Sequence, residues 1–113
     1  MQRDQQSLID IADSIQLISE YVKNWQDFVH SIRDQDAVIR RLTIVGEATK
    51  RLSIEFRDAH PDVPWKEMAG LRDVVVHDYD EVDLDRLKPV IEIKLPEVLH
   101  QLEPLLPTPP EAP

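Results

Sequence analysis

Arg72, His77 and Tyr79 fall within eight positions of one another in GLRDVVVHDYDEVD, residues 70–83, a stretch whose other members are mostly valine and acid. An imidazole titrates near neutral pH, so His77 can take a proton from an oxygen or return one. A guanidinium stays charged and forks onto phosphate oxygens, where it stabilises the charge that builds in phosphoryl transfer. One such pair makes a thin active site. Two copies facing each other would supply one imidazole as base, another as acid and two guanidiniums, enough to cleave RNA without a metal. The same pair also has ordinary roles, the histidine capping carbonyls and the arginine pairing with a surface acid, and spacing alone does not decide. A five-residue step turns about 140° on a helix, so Arg72 and His77 converge only if the helix is ending there or the arginine swings across. Arg72 and Tyr79, seven apart, share a face if the helix persists.

The rest of the chain bounds what can hold these residues. At 113 residues there is room for one domain and one core, with little left for a deep private pocket, so a large site calls for a second subunit. No cysteine is present, which excludes disulfides and thiolate chemistry. The polar start MQRDQQSLID lacks a signal pattern and the apolar runs are short, so a soluble cytoplasmic protein without a membrane partner is expected. The net charge of −9 argues against a simple nucleic-acid coat protein. Between Arg33 and Arg57, however, six bases face four acids; that segment is +2 and the remainder −11, leaving room for a local basic face or for an acidic surface that attracts a basic partner.

Apolar periodicity sets out the elements. Leu8, Ile11, Ile15, Ile18 and Val22 keep helical steps and predict a first helix over about 4–23. Asn24 can cap a short helix carrying Trp25, Phe28, Val29 and Ile32. Val38, Leu42, Val45, Thr49, Leu52 and Phe56 predict the longest helix, about 35–58, capped by Asp34 or Asp36, with Gly46 admitting another backbone or a ligand at close range. HPDVPW stops it, and Pro64 starts a helix over about 64–77. Val74 to Val76 could read as a strand, but no second strand-like run exists to pair with it, so helix is preferred. Asp83 can cap a last helix, bent or delayed by Pro89 and Pro96. The expectation is an all-α, antiparallel up-and-down four-helix bundle with an extra short helix: one domain over 1–103, then a disordered or extended proline-rich tail over 104–113.

Three motifs, IVGEATKRLS at 44–53, HPDVPWKEMAGLRD at 60–73 and RDVVVHDY at 72–79, stand in order and at the right spacing. Over residues 44–87 the chain resembles the HepT-like toxins of the HEPN superfamily, with their R-x4-H-x-Y signature; elsewhere only the helical pattern agrees. The resemblance implies a HEPN-like bundle and a homodimer whose ribonuclease site, Arg72 and His77, lies in a cleft between protomers and acts on RNA such as tRNA or mRNA. It also implies a toxin–antitoxin pair in which an MntA-like minimal nucleotidyltransferase transfers AMP to Tyr79, filling the cleft with bulk and negative charge. No cofactor and no metal are expected. The alternative keeps the fold without chemistry: a binding subunit that presents nucleotide or substrate to a nucleotidyltransferase.

Two acids are candidate supports. Glu47 could orient Arg72 or His77 from the neighbouring helix, or be a solvated helix-face glutamate. Asp73 could pair with the imidazole, or form a surface ion pair worth under about 1 kcal/mol. HDYDEVDLD fits neither a calcium loop nor a tetrahedral zinc set and reads as an acidic turn before a helix cap. His30, His60 and His100 are isolated, and Trp25 and Trp65 sit in apolar patterns that suit core packing.

Overall fold

The apolar stripes predicted from periodicity bury themselves against one another in a computed structural model that describes residues 2–77 and 81–107. Helix α1, Gln2–Tyr21, packs along α3, Ile32–Arg51, and the two run antiparallel because the start of α1 meets the end of α3 at Asp4 and Ser53. Leu8, Ile11, Ile15 and Ile18 from one meet Val38, Leu42 and Val45 from the other in a single core. Between them lies α2, Trp25–Phe28, capped by Asn24, whose side chain accepts the Asp27 N–H. Phe28 is fully buried, and Gln35 of α3 donates to the carbonyls of Phe28 and Val29, pinning the short helix down. The third layer is α5, Trp65–Ala69, followed by α6, Leu71–Val75. The fourth is a rod of α7, Leu84–Pro89, a π turn over Val90–Lys94, and α8, Leu95–Leu102, antiparallel to α5–α6. The molecule is all-α, and among the described residues β pairing is limited to one isolated bridge.

Several boundaries differ from expectation for identifiable reasons. The long helix expected over about 35–58 starts earlier, because Ser31 rather than Asp34 or Asp36 is the cap, its hydroxyl accepting the Asp34 N–H. It also breaks after Arg51. Leu52 is extended, and Ser53 caps a separate helix α4, Ile54–Ala59. The break is fixed from outside, since the Asp4 carboxylate accepts both the Ser53 N–H and its hydroxyl at 2.8 Å each. The helix expected over about 64–77 divides at Gly70 and stops at Val75. Gly46 does admit a backbone: a Cβ placed there would sit 3.0 Å from the Ala69 carbonyl oxygen. The last helix starts where Asp83 caps it, so neither proline delays it. Pro96 has no N–H to give, and its ring crowds the carbonyl four residues back. The helix widens into the π turn, with the Leu95 N–H reaching back to the Val90 carbonyl. Beyond residue 103, Glu103–Leu105 form a 3-10 turn and Leu105 and Leu106 rest against the core, so packing continues past the expected domain end; residues 108–113 of the expected tail lie outside the described residues. No helix among the described residues is long and apolar enough to cross a membrane.

The Asp4 contact makes a prediction. The Ser53 N–H, chiefly, and then its hydroxyl hold the Asp4 carboxyl below its ordinary range against the opposing effect of burial. Asp4→Ala removes a covered, charged acceptor and strands the Ser53 N–H, at an expected cost of about 1.5–3 kcal/mol in a denaturant melt. Because the folded pKa is depressed, this stabilisation is complete above about pH 4 and is lost as pH falls through the folded value. The gap between wild type and variant should therefore close in acid.

Candidate functional site

Leu71 and Val75, one turn apart, are buried and anchor the short helix α6 against α3 and α7. Between them Arg72 reaches the surface with its side chain 38% exposed, and its Nη1 lies 3.5 Å from the Asp73 Oδ1. The helix ends at Val75 because Val76 turns extended and forms an antiparallel bridge with Val82. Two further bonds close the base of this loop: the His77 N–H donates to the Glu81 carbonyl at 2.8 Å, and the Asp83 N–H donates to the Val75 carbonyl at 2.7 Å. Val76 thus finds in Val82 the pairing partner that the sequence reading did not see. The continuous Val74–Val76 run has no second strand-like run to pair with, yet a single bridged residue is enough to end the helix.

The termination decides which side chains can meet. The condition for Arg72 and His77 to approach, a helix ending near His77, is met. The condition for Arg72 and Tyr79 to stack on one helix face is not; Tyr79 itself lies outside the described residues. His77 is 54% exposed, and its Nε2 stands 3.0 Å from the Asp83 Oδ2. The Asp83 carboxylate makes three contacts at once, two to Arg86 and one to His77. Its Oδ1 accepts the Arg86 N–H as the cap of α7, and its Oδ2 faces both the His77 ring and the Arg86 Nε, the latter at 3.5 Å. The Arg86 N–H first, and the His77 ring second, hold the Asp83 carboxyl below its ordinary range. Asp83 is therefore an anion throughout the neutral range.

Neither of the two acids proposed as supports is placed beside the imidazole. Asp73 is largely exposed and faces Arg72. Glu47 is exposed on α3, and its carboxylate lies 3.9 Å from Arg51 one turn further on. Among the described residues the acid that reaches the ring is Asp83, which its sequence position marks only as a helix cap. Its six-residue separation from His77 fits no helical step, and only the closed loop makes them neighbours. No group of three or more His, Asp or Glu side chains converges as a metal site among the described residues. On the same side of α6 as Leu71, α5–α6 and α7 with the π turn flank a shallow groove whose apolar lining of Gly70, Leu71, Val74, Pro89 and Val90 is edged by the charged Lys66, Glu67, Asp85, Arg86 and Lys94; neither Arg72 nor His77 lines it. Val74 is exposed there. The tryptophans are structural: Trp65 is buried with its Nε1–H bonded to the His60 carbonyl, and Trp25 packs on Phe28.

A family model described as ribonuclease HepT-like matches residues 11–105. A Thermococcus cleftensis protein named "Probable ribonuclease HepT" is 39% identical over 100 residues, covering 87% of this chain and 91% of the relative. A candidate RNase of Caldanaerobacter subterraneus is 38% identical over 98 residues, with 85% and 88% covered. A Methanocaldococcus jannaschii protein named as both a gamma-glutamylcyclotransferase and a candidate RNase is 43% identical over 94 residues; the match covers 81% of this chain but 42% of that longer protein. No solved structure shows a significant match.

Proposed function

This chain belongs to the HepT-like ribonuclease family, and from that premise we propose that it is the toxin of a HEPN and nucleotidyltransferase pair, a homodimeric, metal-independent endoribonuclease acting through Arg72 and His77. The observation that carries the reading is that these two residues, within the span matched by the family model, flank the short helix α6, Arg72 in its first turn and His77 just past its end, with both side chains open to solvent. A second copy would bring a second His77 and Arg72, and the exposed Val74 on α6 leaves apolar surface near them for it to cover.

In this reaction the His77 of one copy takes the proton from an RNA 2′-hydroxyl. The 2′ oxygen forms a bond to the adjacent phosphorus as the bond from phosphorus to the 5′ oxygen breaks. The His77 of the other copy gives a proton to the departing 5′ oxygen. Arg72 holds the non-bridging oxygens, whose negative charge grows in the transition state. The products are a 2′,3′-cyclic phosphate and a free 5′-hydroxyl.

Expression of the chain alone in bacteria tests this reading: growth arrest relieved by His77→Ala is expected, and harmless expression of the wild type would overturn it. Tyr79 is the proposed site of silencing by AMP transfer. Intact-mass measurement after co-expression with the partner nucleotidyltransferase should give adducts in whole multiples of AMP that vanish in Tyr79→Phe; an adduct that survives in Tyr79→Phe would place the modification elsewhere. The net charge of −9 favours the second reading, a binding subunit that holds nucleotide or substrate without chemistry. That reading predicts RNA or nucleotide binding with no cleavage and no growth arrest.

A further inference from the structure

Building on the ribonuclease reading, we infer that Asp83 is the positioning residue for His77: its carboxylate grips the ring at Nε2, which leaves Nδ1 as the nitrogen that handles the substrate proton. The contact between Oδ2 and Nε2 is 3.0 Å. What distinguishes it from a chance surface pair is how firmly Asp83 is itself held. Its Oδ1 is the cap of α7, its N–H is bonded to the Val75 carbonyl, and its side chain is 22% exposed against 54% for the histidine. The neighbouring residue Val82 is paired with Val76, the residue just before His77. Helix α7 and the loop base therefore fix the carboxylate, and the carboxylate in turn fixes an otherwise exposed ring.

The charges around the contact determine the tautomer. Arg86 presents its Nε to the same oxygen that faces the ring. An ionised carboxylate can only accept a hydrogen bond, so the proton in the contact belongs to Nε2. In the neutral ring Nδ1 is then a bare lone pair, ready to accept the 2′-hydroxyl proton. Protonation there gives an imidazolium with N–H groups on both nitrogens, its Nε2–H still donated to the Asp83 carboxylate. In the copy acting as acid, the Nδ1 proton passes to the departing 5′ oxygen and Nε2 keeps its own. Asp83 remains an anion throughout and takes no proton.

The test uses Asp83→Asn in the full chain. Asparagine caps a helix about as well as aspartate, so α7 keeps its start. Its amide nitrogen, turned to the ring, would donate where the carboxylate accepted. Three measurements are made: the ring nitrogens of His77 by proton–nitrogen correlation NMR, RNA cleavage, and thermal melting. In the wild type we expect the neutral ring to carry its proton on Nε2. In Asp83→Asn we expect the population to move towards Nδ1–H and cleavage to fall on the order of 10²-fold, with the melting temperature nearly unchanged. A purely structural Asp83 would change the folded fraction without changing the tautomer. A wild-type ring protonated on Nδ1, or an unchanged tautomer in Asp83→Asn with cleavage within about threefold of wild type, overturns the inference. If Asp83→Asn does not fold, Asp83→Ser still caps α7 with a hydroxyl that stops short of the ring; retention of the wild-type tautomer there would also overturn it. Absence of RNA cleavage by the wild type would sink the ribonuclease reading, while the ring tautomers would still decide separately whether Asp83 sets His77.

Discussion

His77→Ala is expected to lower the rate of RNA cleavage by about 10²–10⁴-fold, the range for loss of a positioned proton-transfer group. If the same residue serves as base in one copy and acid in the other, both roles vanish together and the loss should fall at the upper end. The fold should be nearly indifferent. The side chain is more than half exposed and takes no part in the core. Melting curves of the variant and wild type should therefore nearly superimpose while their cleavage rates differ by orders of magnitude. A variant that cleaves RNA within about tenfold of wild type would remove His77 from the chemistry.

Phe28→Ala should behave in the opposite way. Phe28 is the largest fully buried side chain among the described residues and the apolar anchor of a helix only four residues long. That helix could not persist on propensity alone. Its removal leaves a cavity between α2 and α3 that the Gln35 bonds to the Phe28 and Val29 carbonyls resist collapsing. An expected loss of about 3–5 kcal/mol is a large part of the stability of a domain this size. It corresponds to a fall in melting temperature on the order of 15 °C. At a temperature where the variant is still folded, cleavage should persist, since the contacts that fix His77 run through Asp83, Val75 and Val82 rather than through Phe28. The two variants together separate the chemistry from the scaffold.

Much of the scaffold was legible in the sequence because burial imposes a period. The stripe from Leu8 to Ile18, the inward Phe28 and the stripe from Val38 to Val45 all face the core as their spacing required. The Asn24 and Asp83 caps were readable because an N-cap is a local event, with the side chain bonding an N–H three residues ahead. What escaped was nonlocal. The break at Ser53 depends on Asp4, forty-nine residues away, and no pattern within the helix announces it. The end of α6 depends on Val82 across a loop, which a rule requiring two strand-like runs rejected.

The candidate site divides in the same way. Arg72 and His77 drew attention by residue type and by their place in a recognisable motif. The carboxylate beside the imidazole did not, because the loop that joins His77 to Asp83 has no periodicity to read. Asp73, four residues before His77, is the candidate the sequence offers, but α6 ends before it can bring the two together, and Asp73 faces its neighbour Arg72. Gly46 lies between these cases: its unfavourable place inside a helix signalled a close approach, and the Ala69 backbone supplies it.

The most direct measurement of the proposed chemistry is the identity of the RNA ends produced by purified wild-type protein in excess chelator. Attack by the 2′-hydroxyl under the control of His77 and Arg72 predicts 2′,3′-cyclic phosphate on one fragment and 5′-hydroxyl on the other, at a rate unaffected by removal of divalent cations. Fragments bearing a 5′-phosphate and a 3′-hydroxyl, or cleavage that stops in chelator and returns with added metal, would contradict it.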